Sequence, residues 1–147
     1  IRGLVARGNM GEAARLLGRP YGYLGTVCHG RRLGHSLGTP TLNQRVPQSF
    51  VLPRFGVYVS RVWFDGNHYC GVTNVGIKPT VGSKEVLAET WMPLYEGPDL
   101  YGKEIQTELL HFQRPEHKFP SIEALKEQIQ KDGKAALEFY ARNRNFS

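Results

Sequence analysis

Hydrophobic and polar positions change their period twice along the chain. In residues 9–17, NMGEAARLL, Met10, Ala13, Ala14 and Leu17 fall on one helical face. Asn9 stands at the N-cap position, Glu12 follows three residues later as in a capping box, and Gly18 and Pro20 end the pattern. From Tyr21 to Phe112 the texture turns to glycine, proline and β-branched residues. The stretch GVYVSRVWFDGNHYCGVTNVG reads as a hairpin, with Asp65-Gly66 supplying the positive φ angles of a tight turn. Further strands are expected around Tyr23–His29, Leu87–Trp91 and Glu104–Phe112. In the last of these Ile105, Thr107, Leu109 and His111 alternate with Gln106, Glu108, Leu110 and Phe112, so both faces carry apolar residues. Residues 121–141 return to helical spacing, with Ser121 as cap, Glu123 in the first turn and a stripe of Ile122, Leu125 and Ile129. Gly133 inside that pattern costs roughly 1 kcal/mol and marks a candidate break or bend.

Strands first and a helix last predict a mostly β fold, an antiparallel sheet closed into a barrel with the helix packed outside. The 147 residues suit one domain, long enough to bury a core without disulfides or metals. The apolar runs are short and broken by charge, so neither a signal sequence nor a membrane span is expected. Cys28 and Cys70 form no CxxC pair and are read as structural thiols in a reducing, cytoplasmic setting. A net charge of +6 favours polyanionic partners: nucleotides, nucleic acid or acidic surfaces. The first residue is Ile1, and the chain is expected to be a piece of a longer protein.

The stretch GRRLGHSLGTPTLN, residues 30–43, carries two competing chemistries. GHSLG fits the G-x-S-x-G pattern of a hydrolase nucleophile elbow, with Ser36 as nucleophile and Asp99 and His111 following in the required order. An elbow needs an apolar strand before the serine and a helix after it. Here RRLGH precedes Ser36, and Pro40 disfavours helix at Thr39. The esterase reading therefore fails on local structure. Gly30, Gly34 and Gly38, beside Arg31 and Arg32, suit an anion approached closely by backbone N–H groups. No Walker or G-x-G-x-x-G pattern is present, and glycines alone equally describe a surface turn. If PTLN enters a strand, Thr41 and Asn43 lie side by side on one face. They are neutral oxygen donors suited to Mg²⁺, and equally suited to hydrogen-bonding a turn.

The spacing G25-x-V-x-x-G30-x-x-x-G34-x-x-x-G38-x-P40-T41-x-N43 resembles the signature of riboflavin kinase. The resemblance continues through GVY at 56–58, NVGIKPT at 74–80, ET at 89–90, DLYGK at 99–103 and FQRPEHKFPSIEAL at 112–125. It implies a small, about six-stranded Greek-key barrel with a C-terminal helix. Residues 1–20 are then expected to be a linker helix from an N-terminal adenylyltransferase domain, and 21–147 the kinase domain, as in bacterial bifunctional riboflavin kinase/FAD synthetases. The implied reaction moves the γ-phosphoryl of ATP to the 5′-hydroxyl of riboflavin, giving FMN and ADP. The resemblance places ATP at a loop bearing Gly30, Arg31, Gly34, His35, Ser36, Gly38, Pro40 and Thr41. It makes Thr41 and Asn43 the Mg²⁺ ligands and Glu89 the catalytic base. The family usually has alanine where Leu42 stands, and Pro98 alters a stretch near the flavin side. Leu42 is expected to face away from the metal.

Phosphoryl transfer needs positioning and charge neutralisation more than covalent help. A glutamate of ordinary pKa, about 4.3, is a weak base for an alcohol, so its role is to orient the hydroxyl and take the proton late. Trp91 and Tyr101 are candidates to stack on the flavin ring, and Arg114 to hydrogen-bond the ring or the product phosphate. The expected partners are riboflavin, FMN, ATP, ADP and the adenylyltransferase domain, with no membrane. The competing function is a non-catalytic nucleic-acid-binding barrel, which needs basic charge and exposed aromatics but not Glu89.

Overall fold

The computed structural model describes residues 1–28, 41–46, 52–80 and 83–143. Two short helices, α1 (Arg2–Arg7) and α2 (Met10–Leu17), lead into six strands. These are β1 (Tyr21–Cys28), β2 (Thr41–Arg45), β3 (Gly56–Phe64), β4 (Asn67–Thr80), β5 (Ser83–Trp91) and β6 (Glu104–Arg114). Helix α3 (Ile122–Arg142) follows. The strands close into an antiparallel barrel in the order β1-β2-β5-β4-β3-β6. The expected fold class is therefore the observed one.

The strongest local signals in the sequence decide local structure. Asp65 and Gly66 have φ of 52° and 77°, the paired positive angles of a tight hairpin turn, and β3 and β4 run from it in unbroken register. The Asn9 side chain accepts from Glu12 N, and Ser121 from Ala124 N, so both predicted caps form. Helix α1 was not expected from the sequence. It has only six residues and ends at Gly8, whose φ of 81° is the left-handed C-cap conformation.

Side chains pointing inward fill the barrel in two layers. Tyr23, Val46, Tyr58, Val75, Ala88 and Leu109 form one end, and Val5, Met10 and Ala13 from α1 and α2 close it. The segment expected to be a linker thus completes the core at that end. Val27, Leu42, Val62 and Ile105 form the other layer. Between them sits Gln44, fully buried, donating to the carbonyls of Gly25 and Ile105 and accepting from the Thr107 hydroxyl. Replacing it with leucine would strand all three partners. Gln44→Leu is expected to cost about 3 kcal/mol of stability, read as a lower urea midpoint with the denaturant slope unchanged.

Two sequence expectations need correction. Strict alternation put His111 on the face of Leu109. A register shift in the β3/β6 ladder between Val59 and Ser60 reverses the parity. Leu109 points into the barrel, Leu110 and His111 outward, and Phe112 inward against Tyr58. Helix α3 does not break at Gly133, nor does it pack through Ile122, which is 63% exposed. Its buried residues are Asp132, Gly133 and Ala136, with Leu137, Phe139 and Tyr140 at the edges. They lie on the outward Val57, Val59, Cys70, Val72 and Leu110.

Both cysteines are free. Burial pushes the Cys70 thiol up to about 12. Only the thiolate reacts readily. Cys70 is therefore expected to resist iodoacetamide at pH 8 until the chain is unfolded, as adduct mapping by mass spectrometry would show.

Candidate active site

Strands β2, β5 and β4 lie side by side and bring separated segments together. Asn43 is the direct partner of Glu89 in the β2/β5 ladder, and Glu89 that of Asn74 in the β5/β4 ladder. Directly opposed residues of an antiparallel pair project to the same side. Asn43, Glu89 and Asn74 therefore form one row. Thr41, Trp91 and Val72 form the next row, displaced by two residues along the strands. The intervening Leu42, Gln44, Ala88, Thr90, Thr73 and Val75 are buried in the barrel. The two rows thus face outward, on the same side as α3. Leu42 belongs to the interior cluster, away from the row that carries Thr41 and Asn43.

Two oxygens of these rows lack partners. Thr41 Oγ1 and Asn74 Oδ1 are both buried without a hydrogen-bond partner among the described residues. A buried polar atom left unpaired costs about 1–3 kcal/mol, so a partner such as water, an ion or a ligand group is expected at each. Thr41 Oγ1 next to Asn43 is a pair of neutral oxygen donors facing a carboxylate. That donor set fits a hard divalent cation which takes its remaining oxygens from phosphate and water.

Helix α3 is set against this face at a specific spot. A Cβ placed on Gly133 would lie 2.6 Å from Trp91 Cζ3. Glycine here admits the indole rather than bending the helix. Arg114 holds α3 from the opposite side, its guanidinium bonding Asp132 at 2.7 and 3.0 Å, while Gln128 also donates to Asp132. After β6 the chain returns over β4, where the Glu116 carboxylate occupies the space that a side chain at Gly76 would fill.

The residues predicted from sequence are thus distributed unevenly. Thr41, Asn43, Glu89 and Trp91 come together on one face. Trp91 is partly buried against α3, and Arg114 is paired with Asp132. Tyr101 is 56% exposed and lines an open groove of about 610 Å³ at the barrel end, with Phe64, Tyr69, Tyr95 and Lys103. Gly30, Arg31, Gly34, His35, Ser36, Gly38 and Pro40 lie outside the described residues. Of the other groups in the esterase pattern, Asp99 accepts from Tyr101 N and His111 stacks on Phe139 with ring centroids 4.7 Å apart. Burial lowers the His111 pKa. Asn74 and Asp132 were given no role from sequence. The one available signal was an amide on the strand face otherwise carrying Cys70 and Val72.

Side-chain oxygens of Thr41 and Asn43 thus share one outward face of a small closed barrel with the Glu89 carboxylate. The family model for riboflavin kinase (Flavokinase) matches residues 17–140, and the chain belongs to that family. A bifunctional riboflavin kinase/FMN adenylyltransferase of Listeria monocytogenes is 34% identical over 142 residues, which are 97% of this chain and 45% of that protein. The protein of the same description from Escherichia coli K12 is 38% identical over 141 residues, 95% of this chain and 44% of that one. The chain thus spans somewhat less than half the length of these relatives. A solved structure described as a macrolide-efflux protein from Streptococcus pneumoniae superposes with a TM-score of 0.84 at 30% identity, over 99% of this chain and 45% of that one. No helix among the described residues is long and apolar enough to cross a membrane.

Proposed function

We propose that the chain transfers the γ-phosphoryl group of ATP to the 5′-hydroxyl of riboflavin, producing FMN and ADP. The observation that carries this reading is the Asn43–Glu89 pairing beside a Thr41 hydroxyl that is unpartnered among the described residues, in a chain of the riboflavin kinase family. Glu89 accepts the hydrogen bond of the 5′-hydroxyl and orients its oxygen toward the γ-phosphorus. As the new P–O bond forms and the bond to the ADP oxygen breaks, the hydroxyl grows acidic and its proton passes to the Glu89 carboxylate. Thr41 Oγ1 and Asn43 would hold Mg²⁺, which when bound neutralises charge on the phosphate oxygens.

The glycine-rich residues 30–38, with His35, Ser36 and Pro40, would cradle the polyphosphate. The exposed ring of Tyr101 would cover a flat ligand ring. Trp91 would border the flavin slot. Arg114, paired with Asp132, would serve it mainly by fixing α3. In a longer protein, an N-terminal adenylyltransferase domain would carry FMN on to FAD. Dependence on ATP fits a cytoplasmic setting.

The test is direct. Incubated with riboflavin, ATP and Mg²⁺, the chain should form FMN, separated by chromatography, and chelation of the metal should stop it. A nucleic-acid-binding barrel would give no FMN, and instead an affinity for single strands that falls steeply with salt.

A further inference from the structure

Glu89 has an amide on each side. Asn43 flanks it from β2 and is accounted for by the metal reading. Asn74 flanks it from β4, and nothing in the proposed reaction yet uses it. We propose that Asn74 Oδ1 accepts a hydrogen bond from the ribityl hydroxyl on C4′, next to the hydroxyl that is phosphorylated, and thereby sets specificity for the polyol chain. This rests on the reading of Glu89 as the group that receives the 5′-hydroxyl.

Three observations converge. First, Asn74 Oδ1 is buried without a partner among the described residues, so it is an acceptor in need of a donor. A sugar-alcohol hydroxyl is such a donor. Second, the ladder places Asn74 directly opposite Glu89, and opposed side chains in such pairs start about 4.5–5.5 Å apart at Cβ. Two acceptors at that spacing, leaning toward one ligand, suit successive hydroxyls of one chain. Third, the ladder sets the direction of that chain. With the metal pair on the β2 side of Glu89 and Asn74 on the β4 side, phosphate approaches from one side and the rest of the substrate leaves on the other. On that side the Glu116 carboxylate lies over Gly76, two residues beyond Asn74 on the same face. An uncharged amide also avoids a second negative charge directly beside Glu89.

A site built around a hydroxyl acceptor rejects a substrate lacking that hydroxyl, because the acceptor is then left buried and unpaired. The experiment is a cycle between residue and substrate. FMN-forming kcat/KM is measured for the wild-type chain and Asn74→Ala, each with riboflavin and with 4′-deoxyriboflavin. Removing either partner should lower kcat/KM about tenfold, a net hydrogen bond's worth. Removing both should lower it no further, and the KM for ATP should stay within twofold of wild type. Losses that multiply to about a hundredfold, or an Asn74→Ala chain indistinguishable from wild type with riboflavin, would overturn the proposal. Asn74→Ser keeps an oxygen acceptor and should recover part of the loss. It serves as the second variant if the alanine chain unfolds, and a serine chain that prefers the deoxy substrate contradicts the proposal. A wild-type chain that converts no riboflavin at all would sink the underlying reading of the site. That is distinct from an active wild type indifferent to Asn74.

Discussion

Replacing Glu89 with glutamine is expected to lower kcat for FMN formation by ~10²–10⁴-fold, the usual worth of a positioned proton acceptor. Nucleotide affinity should stay within about threefold. Glutamine keeps the shape and one acceptor oxygen, so the hydroxyl can still be held. What is lost is the place for its proton once the P–O bond has begun to form. The backbone around position 89 is fixed on both sides, by Asn43 and by Asn74, so the substitution has little room to rearrange the face. The deficit should appear in kcat and kcat/KM together, as for an interaction made in the transition state. Equal activity of Glu89→Gln and wild type would remove Glu89 from the mechanism.

Thr41→Val should move stability and activity in opposite directions. The Thr41 hydroxyl is buried and unpartnered among the described residues, a cost to the empty chain. Valine keeps the branched shape suited to a strand and removes the orphan. The variant without ligands should therefore be as stable as wild type or up to about 1 kcal/mol more stable, measured by urea denaturation. The same change deletes one of the two oxygens proposed to hold the cation. The Mg²⁺ concentration for half-maximal turnover should rise at least about tenfold, and the stabilisation that Mg²⁺ with ADP gives the wild type should shrink. A loss of stability with an unchanged Mg²⁺ requirement would return Thr41 to the role of a turn-stabilising hydrogen bonder.

What could be read from the sequence was governed by short-range chemistry. Asp65-Gly66 admits few conformations, and Asn9 and Ser121 act on backbone groups three residues away, so the hairpin and both caps were legible. That Leu42 faces away from Thr41 and Asn43 followed from strand parity, while which side is the barrel interior did not. The bulge in β6 was not legible, because it depends on how β3 happens to pair with it, and with it went the facing of His111 and Phe112. Gly133 looked like a weakness because its partner, Trp91, lies 42 positions earlier in the sequence. The pairing of Arg114 with Asp132 was hidden for the same reason: Asp132 belongs to a different element. For the site, motif resemblance supplied Glu89, Thr41 and Asn43. Only the barrel, by setting β2, β5 and β4 side by side, shows that Asn74 completes their row.

The proposed reaction needs the two β2 oxygens and the Glu89 carboxylate to serve it from one face. The most direct measurement is an anomalous-scattering map of crystals grown with Mn²⁺, ADP and riboflavin. A Mn²⁺ peak about 2.0–2.2 Å from both Thr41 Oγ1 and Asn43 Oδ1, close to the Mg²⁺ distance, is expected. The riboflavin 5′-oxygen should lie within about 2.6–3.2 Å of Glu89. A metal held elsewhere, or a flavin bound away from the β2–β5–β4 face, would contradict the account.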